Sequence, residues 1–441
     1  MTGRRVIGRR AFLASATAAL GSAIATSCGR RGVPSHAGID VFRTFGACSD
    51  AYGGVTDLSK ARGECGVIQV LFNQFAARHA GVRTVNVPWG AYYDRLGAAF
   101  AADAAPDVAL MHASVLPDFV SRGLLFPIDD VPGVRLDDLV APARDAVSFD
   151  GRAMALPFDA HGLLWHVNVD LLAAAGLFDG GRPVLPSSPA SLLEHAERVR
   201  SATGKRYFAI PSTADPMPVW IWQSWVWQQG ADLLSPDGSQ VTIDTPAARV
   251  SLGLLSSLFE RGHARPIDYA GAEQVFLAGD AAVTLNGTWL VDVHDAETRD
   301  ETSGLRRLAV MTPPRIFDHE AAWMDHHVWA LPRARGRYAP SPVAMALLAH
   351  LFENGGAWAR TGHLPTRRTV LTSAEFRALP HRGTYARTSE IARSLPRVER
   401  RRAIQAILGD ELNAVWLVGR DPARALKSAE RRVRRVLAMG T

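Results

Sequence analysis

The chain predicts an α/β protein built as two lobes, and three observations carry that expectation. From residue 39 onward, short apolar runs with strand spacing alternate with longer stretches of helical period, the pattern of βαβ units and of a largely parallel sheet covered on both faces. A length of 441 residues with 47% hydrophobic content supplies more than one core, so two α/β lobes are the natural division. No segment recurs at a fixed period, which argues against a solenoid or propeller.

Residues 39–45 read as a strand, 66–79 as an amphipathic helix with Val67, Val70, Leu71 and Phe75 on one side, and 82–87 as a second strand. A helix over 91–102 leads to the short buried strand Asp107-Val108-Ala109-Leu110-Met111, then to a further helix and the run Gly123-Leu124-Leu125-Phe126-Pro127. Past Leu156-Pro157, helices are expected over 169–175, 190–202 and 219–229, followed by a strand at 241–244 and a helix over 246–261. Residues 281–285 form a strand that runs into Asn286-Gly287-Thr288-Trp289. A loop over 317–325 precedes a strand at 327–331, and the remainder reads as mostly helical.

The start of the chain reads as an export signal of twin-arginine type: Arg9 and Arg10 precede an uncharged stretch over residues 11–27 that is too short and too weakly apolar to span a membrane. Small residues before Cys28 suit lipid attachment there, so residues 1–27 are the expected signal and 28–37 a tether. The protein is expected outside the cell, lipid-anchored to the outer face of the cytoplasmic membrane. Arg4, Arg5, Arg9 and Arg10 carry most of the formal net charge of +6, so no nucleic-acid partner is implied. The arginine runs at 400–402 and 431–435 read as solvated helix faces. Cys48 and Cys65 remain as a pair in an oxidising compartment and are expected to form a disulfide, worth about 3 kcal/mol in the chain-entropy picture. With no nearby histidine they make a poor zinc set.

Several stretches carry a family resemblance. Pro106-Asp107-Val108 with Gly123-Leu124-Leu125, Leu156-Pro157-Phe158 with Asn168-Val169-Asp170-Leu171-Leu172, and Phe276-Leu277-Ala278-Gly279-Asp280 leading to Asn286-Gly287-Thr288-Trp289 occur in this order, followed by Gly362-His363-Leu364-Pro365 and Gly419-Arg420-Asp421-Pro422. Their order and spacing resemble the solute-binding subunits of carbohydrate ABC importers, the group that includes maltose-binding protein. The resemblance implies a two-lobed periplasmic-binding-protein-like fold with a hinge: residues 38–157 with 325–370 as lobe one, and 158–324 with 371–441 as lobe two. It further implies a monomer that binds a saccharide or sugar derivative in the cleft and passes it to permease subunits in the membrane, without a cofactor.

Candidate ligand residues follow from residue chemistry together with that resemblance. On a helix Trp220 shares a side with Gln223, where an indole can stack on a sugar's C–H face while an amide bonds its hydroxyls. Trp222 and Trp225 fall with Val219, Ile221 and Val226 and read as core. Gly287, Thr288 and Trp289 stand at a strand-to-helix turn, with a ring and backbone amides able to face a cleft. Packing could equally well explain Trp289, but the family resemblance at this position favours ligand contact. His112 and Ser114 follow a strand's carboxyl end, where ligands of α/β sheets bind. Asp159 and His161 lie at the first crossing, and Asp325 and His326 stand where relatives carry a small turn. Adjacent histidines at 326 and 327 would point to opposite faces of a strand, so no metal is expected. A phosphorylated polyol held by Arg367 is an alternative ligand class, and an exported glycoside hydrolase an alternative activity. No G-x-S-x-G, H-E-x-x-H or G-x-G-x-x-G motif is present.

Overall fold

Two mixed sheets organise the computed structural model, which describes residues 38–79 and 81–439. In the first, β1 (Ile39–Arg43) is followed by helix α1 (Gly63–Ala76), β2 (Val82–Asn86), α2 (Trp89–Ala101), β3 (Val108–His112), β4 (Leu125–Phe126) and β5 (Leu156–Pro157). β1 pairs in parallel with β2 and β3, which completes the expected βαβ unit. α1 starts three residues before its apolar pattern does. Its first amide, Gly63 N–H, is capped by Asp292 Oδ2 at 2.9 Å, a partner 229 residues away that local reading does not reveal.

The second sheet is assembled around β6 (Asp159–Asn168), a ten-residue strand buried along its whole length. After α3 (Pro189–Thr203) come β7 (Arg206–Ala209), α4 (Met217–Gln228), α5 (Pro246–Glu260), β8 (Ala281–Gly287), β9 (Leu308–Met311) and β10 (Ala322–Asp325). β11 (His327–Pro332) then returns the chain to the first sheet beside β3. α6 (Pro342–Glu353) packs there, and β12 (Leu364–Pro365) comes back onto β6. β13 (Ala392–Arg393), α7 (Arg401–Val418) and α8 (Pro422–Ala438) close the second body. Each sheet has its own apolar core, one running from Ile39 to Phe158 with Val328 to Trp358, the other centred on Trp165, Trp222 and Leu255.

Three expectations change. The sheets are mixed rather than largely parallel, because β6 and β11 run antiparallel to the strands on either side of them. No strand forms at 241–244; a lone bridge joins Leu234 and Val241, while the amides of Ile243 and Asp244 donate to Glu430 Oε2 at 3.0 and 2.9 Å. That carboxylate satisfies the donors a neighbouring strand would have used. The loop at 317–325 contains β10, whose four residues are all buried. The disulfide is present, joining Cys48 to Cys65. Residues 1–27 and Cys28 lie outside the described residues. No helix among the described residues is long and apolar enough to cross a membrane.

Candidate functional site

The strands that pass between the two sheets bring a set of polar and aromatic side chains into one place. β5 hands over to β6 at Phe158, and β10 to β11 at His326, so Asp159, His161, Asp325 and His327 all sit at the junction. β3 ends beside them at His112. Tyr93 from α2 locks that residue: His112 N–H donates to the phenolic oxygen at 2.8 Å, and the phenol faces Nδ1 at 2.8 Å.

Asp159, fully buried, is the hub. It accepts hydrogen bonds from His161 Nδ1 at 3.1 Å, His327 Nδ1 at 2.9 Å, Trp358 Nε1 at 2.6 Å and the His327 amide at 3.3 Å. Burial pushes its carboxyl up, but the facing His327 and His363 and the hydrogen bonds outweigh this and hold it well below the usual carboxylate range. Asp325 accepts from Ser114 through both its hydroxyl and its amide, and from the His326 amide. It too is held low, against burial, by His112, His161 and the Ser114 bond. His112, His161, His326 and His363 are depressed, chiefly by burial, His363 to about 3, so these four imidazoles are neutral at pH 7. Burial raises the Glu64 carboxyl well above its ordinary range, with Asp159 adding to the effect.

Indoles wall this cluster. Trp323 and Trp220 stack with centroids 3.8 Å apart and planes 9° apart, and Trp289 meets Trp220 edge-on at 6.4 Å and His161 at 6.2 Å. Trp89 lies over His112 at 4.4 Å from the other side. A closed ring of hydrogen bonds fixes Trp289: its Nε1 donates to Tyr269 Oη at 2.8 Å, Tyr269 donates to Asn286 and Asn286 to Glu273. Glu273 then bonds His294, His294 bonds His166, and His166 returns to the Gly287 carbonyl at 3.0 Å. The Trp289 ring lies across Gly287, where a Cβ would come within 2.0 Å of it, so glycine is required to seat the indole. Gly362, at φ +119°, passes so close that a Cβ would fall 1.9 Å from the Thr288 carbonyl.

Of the sequence-derived candidates, His112, Ser114, Asp159, His161, Trp220, Trp289, Asp325 and His326 are brought into this one assembly. Gln223 is not joined to it by any hydrogen bond; it is fully buried, and neither amide atom has a partner among the described residues. Thr288 Oγ1 is likewise buried without a partner. The Gly287 amide is not free, because Asn286 Oδ1 accepts from it at 2.9 Å. Arg367 is committed elsewhere, to Asp138 at 2.8 Å and over the Phe352 ring at 4.3 Å. Arg401 reverses its expected place on a solvated face: it is 5% exposed, lies within the field of Asp325, and its Nη1 has no hydrogen-bond partner among the described residues. Burial lowers its guanidinium to about 10.

Sequence reading missed Glu64, Trp89, Tyr93, Trp323, His327, Trp358 and His363. Gly362-His363-Leu364-Pro365 carried a signal, as part of the family pattern, and the adjacent histidines at 326 and 327 beside Trp323 carried another. A cavity of about 430 Å³ lined by Phe100, Asp103, Arg333, Arg335, Arg337 and Tyr338 lies beyond the far end of β11 and includes no residue of the cluster. It offers three arginines but none of the converging donors and acceptors found at the junction.

Residues 66–301 match the model of the bacterial extracellular solute-binding protein family. The fold is similar to the GacH receptor of Streptomyces glaucescens GLA.O, solved unliganded and with acarbose (TM-score 0.77, 19% identity, 91% of this chain and 98% of that one). It is similar also to the maltose-bound MalE3 of T. maritima (TM-score 0.74, 18% identity, 90% and 99%) and to UgpB from Mycobacterium tuberculosis in complex with glycerophosphocholine (TM-score 0.72, 18% identity, 91% and 99%). A curated relative from Brucella abortus (strain 2308), named only as a binding protein, is 24% identical over 201 residues, 44% of this chain and 46% of that relative's length. The family match spans more than half of the sequence and takes in β6, the indole-bearing helix α4 and the Gly287–Trp289 turn: the chain belongs to the bacterial extracellular solute-binding protein family.

Proposed function

We propose that this chain is the solute-binding subunit of an ABC importer and captures a saccharide or sugar derivative at the junction of its two sheets. The observation that carries the reading is the pairing of buried carboxylates and neutral imidazoles with a wall of indoles. Carboxylates and imidazoles bond hydroxyls, and indoles cover the C–H faces of a pyranose ring. Gln223 and Thr288, buried with unused polar atoms, are the further groups a hydroxylated ligand would satisfy. In this reading residues 38–157 with 325–370 form one lobe and 158–324 with 371–441 the other. Ligand contact with both drives hinge closure by differential affinity, and the protein works as a monomer that delivers its ligand to a permease.

A phosphorylated polyol is the weaker reading, although UgpB is solved with glycerophosphocholine. The junction is rich in carboxylates, Arg401 is its buried cation, and Arg367 is engaged with Asp138. A dianion would meet repulsion there. Thermal-shift screening followed by calorimetry, neutral sugars against phosphorylated polyols, tests the choice: a neutral saccharide is expected to give the larger shift, by mass action. Trp289→Ala and Trp220→Ala are expected to weaken that binding about 10- to 100-fold, since each loses stacking and buried indole surface. Unchanged affinity in both variants would remove the indole wall from the ligand site.

Export with a lipid tether at Cys28 completes the proposal. Cys28→Ala is expected to move the protein from the membrane to the soluble fraction, and retention of the variant on membranes in high salt would sink the anchor.

A further inference from the structure

Two sets of side chains at the junction place potential ligand atoms within 4.8 Å of one another: His112 with His161 and His327, and Asp159 with His327 and His363. The first set does not converge. An imidazole binds a metal along the lone pair in its own plane, and the rings of His161 and His327 are stacked at 3.9 Å with planes 23° apart. Their lone pairs therefore run side by side. His112 Nδ1 is also occupied by Tyr93.

The second set does converge, and Glu64 adjoins it through His363. Asp159 Oδ2 lies 2.9 Å from His327 Nδ1 and 3.8 Å from His363 Nε2, and Glu64 Oε1 lies 3.2 Å from the same His363 nitrogen. Around zinc, donors held at about 2.0–2.2 Å in a tetrahedron stand roughly 3.3–3.6 Å from one another. The three contacts of His327 and His363 with these carboxyl oxygens, at 2.9, 3.2 and 3.8 Å, bracket that range.

His363 supplies the second observation. It is fully buried, yet its Nε2 makes no hydrogen bond, with the Glu64 oxygen 3.2 Å away. A sealed ring nitrogen without a partner, facing two carboxylate oxygens, is costly unless something sits between them. Its other nitrogen is held by Thr361 Oγ1 at 2.9 Å, the outer contact that orients a metal-binding imidazole. Charge agrees. Among the described residues no lysine or arginine bonds Asp159 or Glu64, so a dication would meet no competing cation on either and would neutralise the buried Asp159 carboxylate.

We propose that Glu64, Asp159, His327 and His363 bind one divalent transition-metal ion, with zinc suited to two imidazoles and two carboxylates. Its donors come from α1, the start of β6, the start of β11 and the residue before β12. The ion therefore ties the strands that pass between the sheets to the first helix of the chain. Asp159 is shared with the proposed saccharide site, and titration with the metal alone, without sugar, reads the two apart.

The test uses the full mature chain, stripped with a chelator, dialysed and titrated with Zn²⁺ alone. One equivalent is expected to bind with a dissociation constant in or below the micromolar range and to raise the melting temperature. Glu64→Gln and His363→Gln are each expected to weaken binding at least tenfold. Glu64 sits at the edge of the cluster, so Glu64→Gln decides the matter should His363→Gln fail to fold. Co²⁺ in place of Zn²⁺ is expected to give the visible bands of a tetrahedral site, lost in Glu64→Gln. No binding, or Zn²⁺ affinity and Co²⁺ bands unchanged in Glu64→Gln, would overturn the proposal.

Discussion

Trp222→Ala is expected to lower the unfolding free energy by about 3–5 kcal/mol, the range for removing a fully buried large aromatic. Trp222 is 0% exposed on α4, inside the core that contains Leu252 and Leu255 of α5, and its indole N–H donates to the Ala248 carbonyl at 3.0 Å. The loss has two parts. A cavity opens where the bicyclic ring stood, and the Ala248 carbonyl loses its donor in a place water does not reach. Urea unfolding of the wild type and the variant measures it, and ligand binding by the folded fraction should stay intact. Trp220, only half-buried and stacked on Trp323, is the contrast: its alanine variant should fold almost normally and bind poorly. An early-melting Trp220→Ala beside an unaffected Trp222→Ala would reverse the roles given to the two faces of α4.

Asp159→Ala in metal-free protein is expected to cost a similar amount, about 3–5 kcal/mol, for an electrostatic reason instead of a packing one. The carboxylate answers four donors, from His161, His327, Trp358 and the His327 amide, all buried. Removing it leaves them without an acceptor, and each orphaned buried group carries a penalty of about 1–3 kcal/mol, partly relieved where an imidazole can change tautomer. Asp159→Asn keeps one acceptor oxygen and should recover part of the loss. Denaturant midpoints at pH 7 report both, and a cost under about 1 kcal/mol for the alanine variant would show that the imidazoles find other partners. The hub joins strands of both sheets, so the same substitution should also loosen the junction. Hydrogen exchange of the β6 and β11 amides is expected to quicken before that of α5.

The sequence by itself determined the α/β class, most helices to within a few residues, the disulfide, the strand that leads to His112 and the turn that carries Trp289. Those follow from local periodicity, turn chemistry and cysteine bookkeeping, which depend on neighbours along the chain. It did not reveal β6, because that strand is buried on both faces, and Asp159, His161 and His166 interrupt the alternation that marks an ordinary strand. Nor did it separate the faces of α4 cleanly, since that helix is buried nearly all round: Gln223, read as facing a ligand, is 0% exposed, and Trp227 is 2% exposed beneath Arg393. The hub at Asp159 was decided only by tertiary structure. Its partners His327 and Trp358 lie 168 and 199 residues further along the chain, and a buried carboxylate or imidazole declares its role only when the groups facing it are known. Arg401 is the same case: its neighbour Arg402 is exposed, while Arg401 itself is sealed in within the field of Asp325, because desolvation and pairing are set by what folds against a residue.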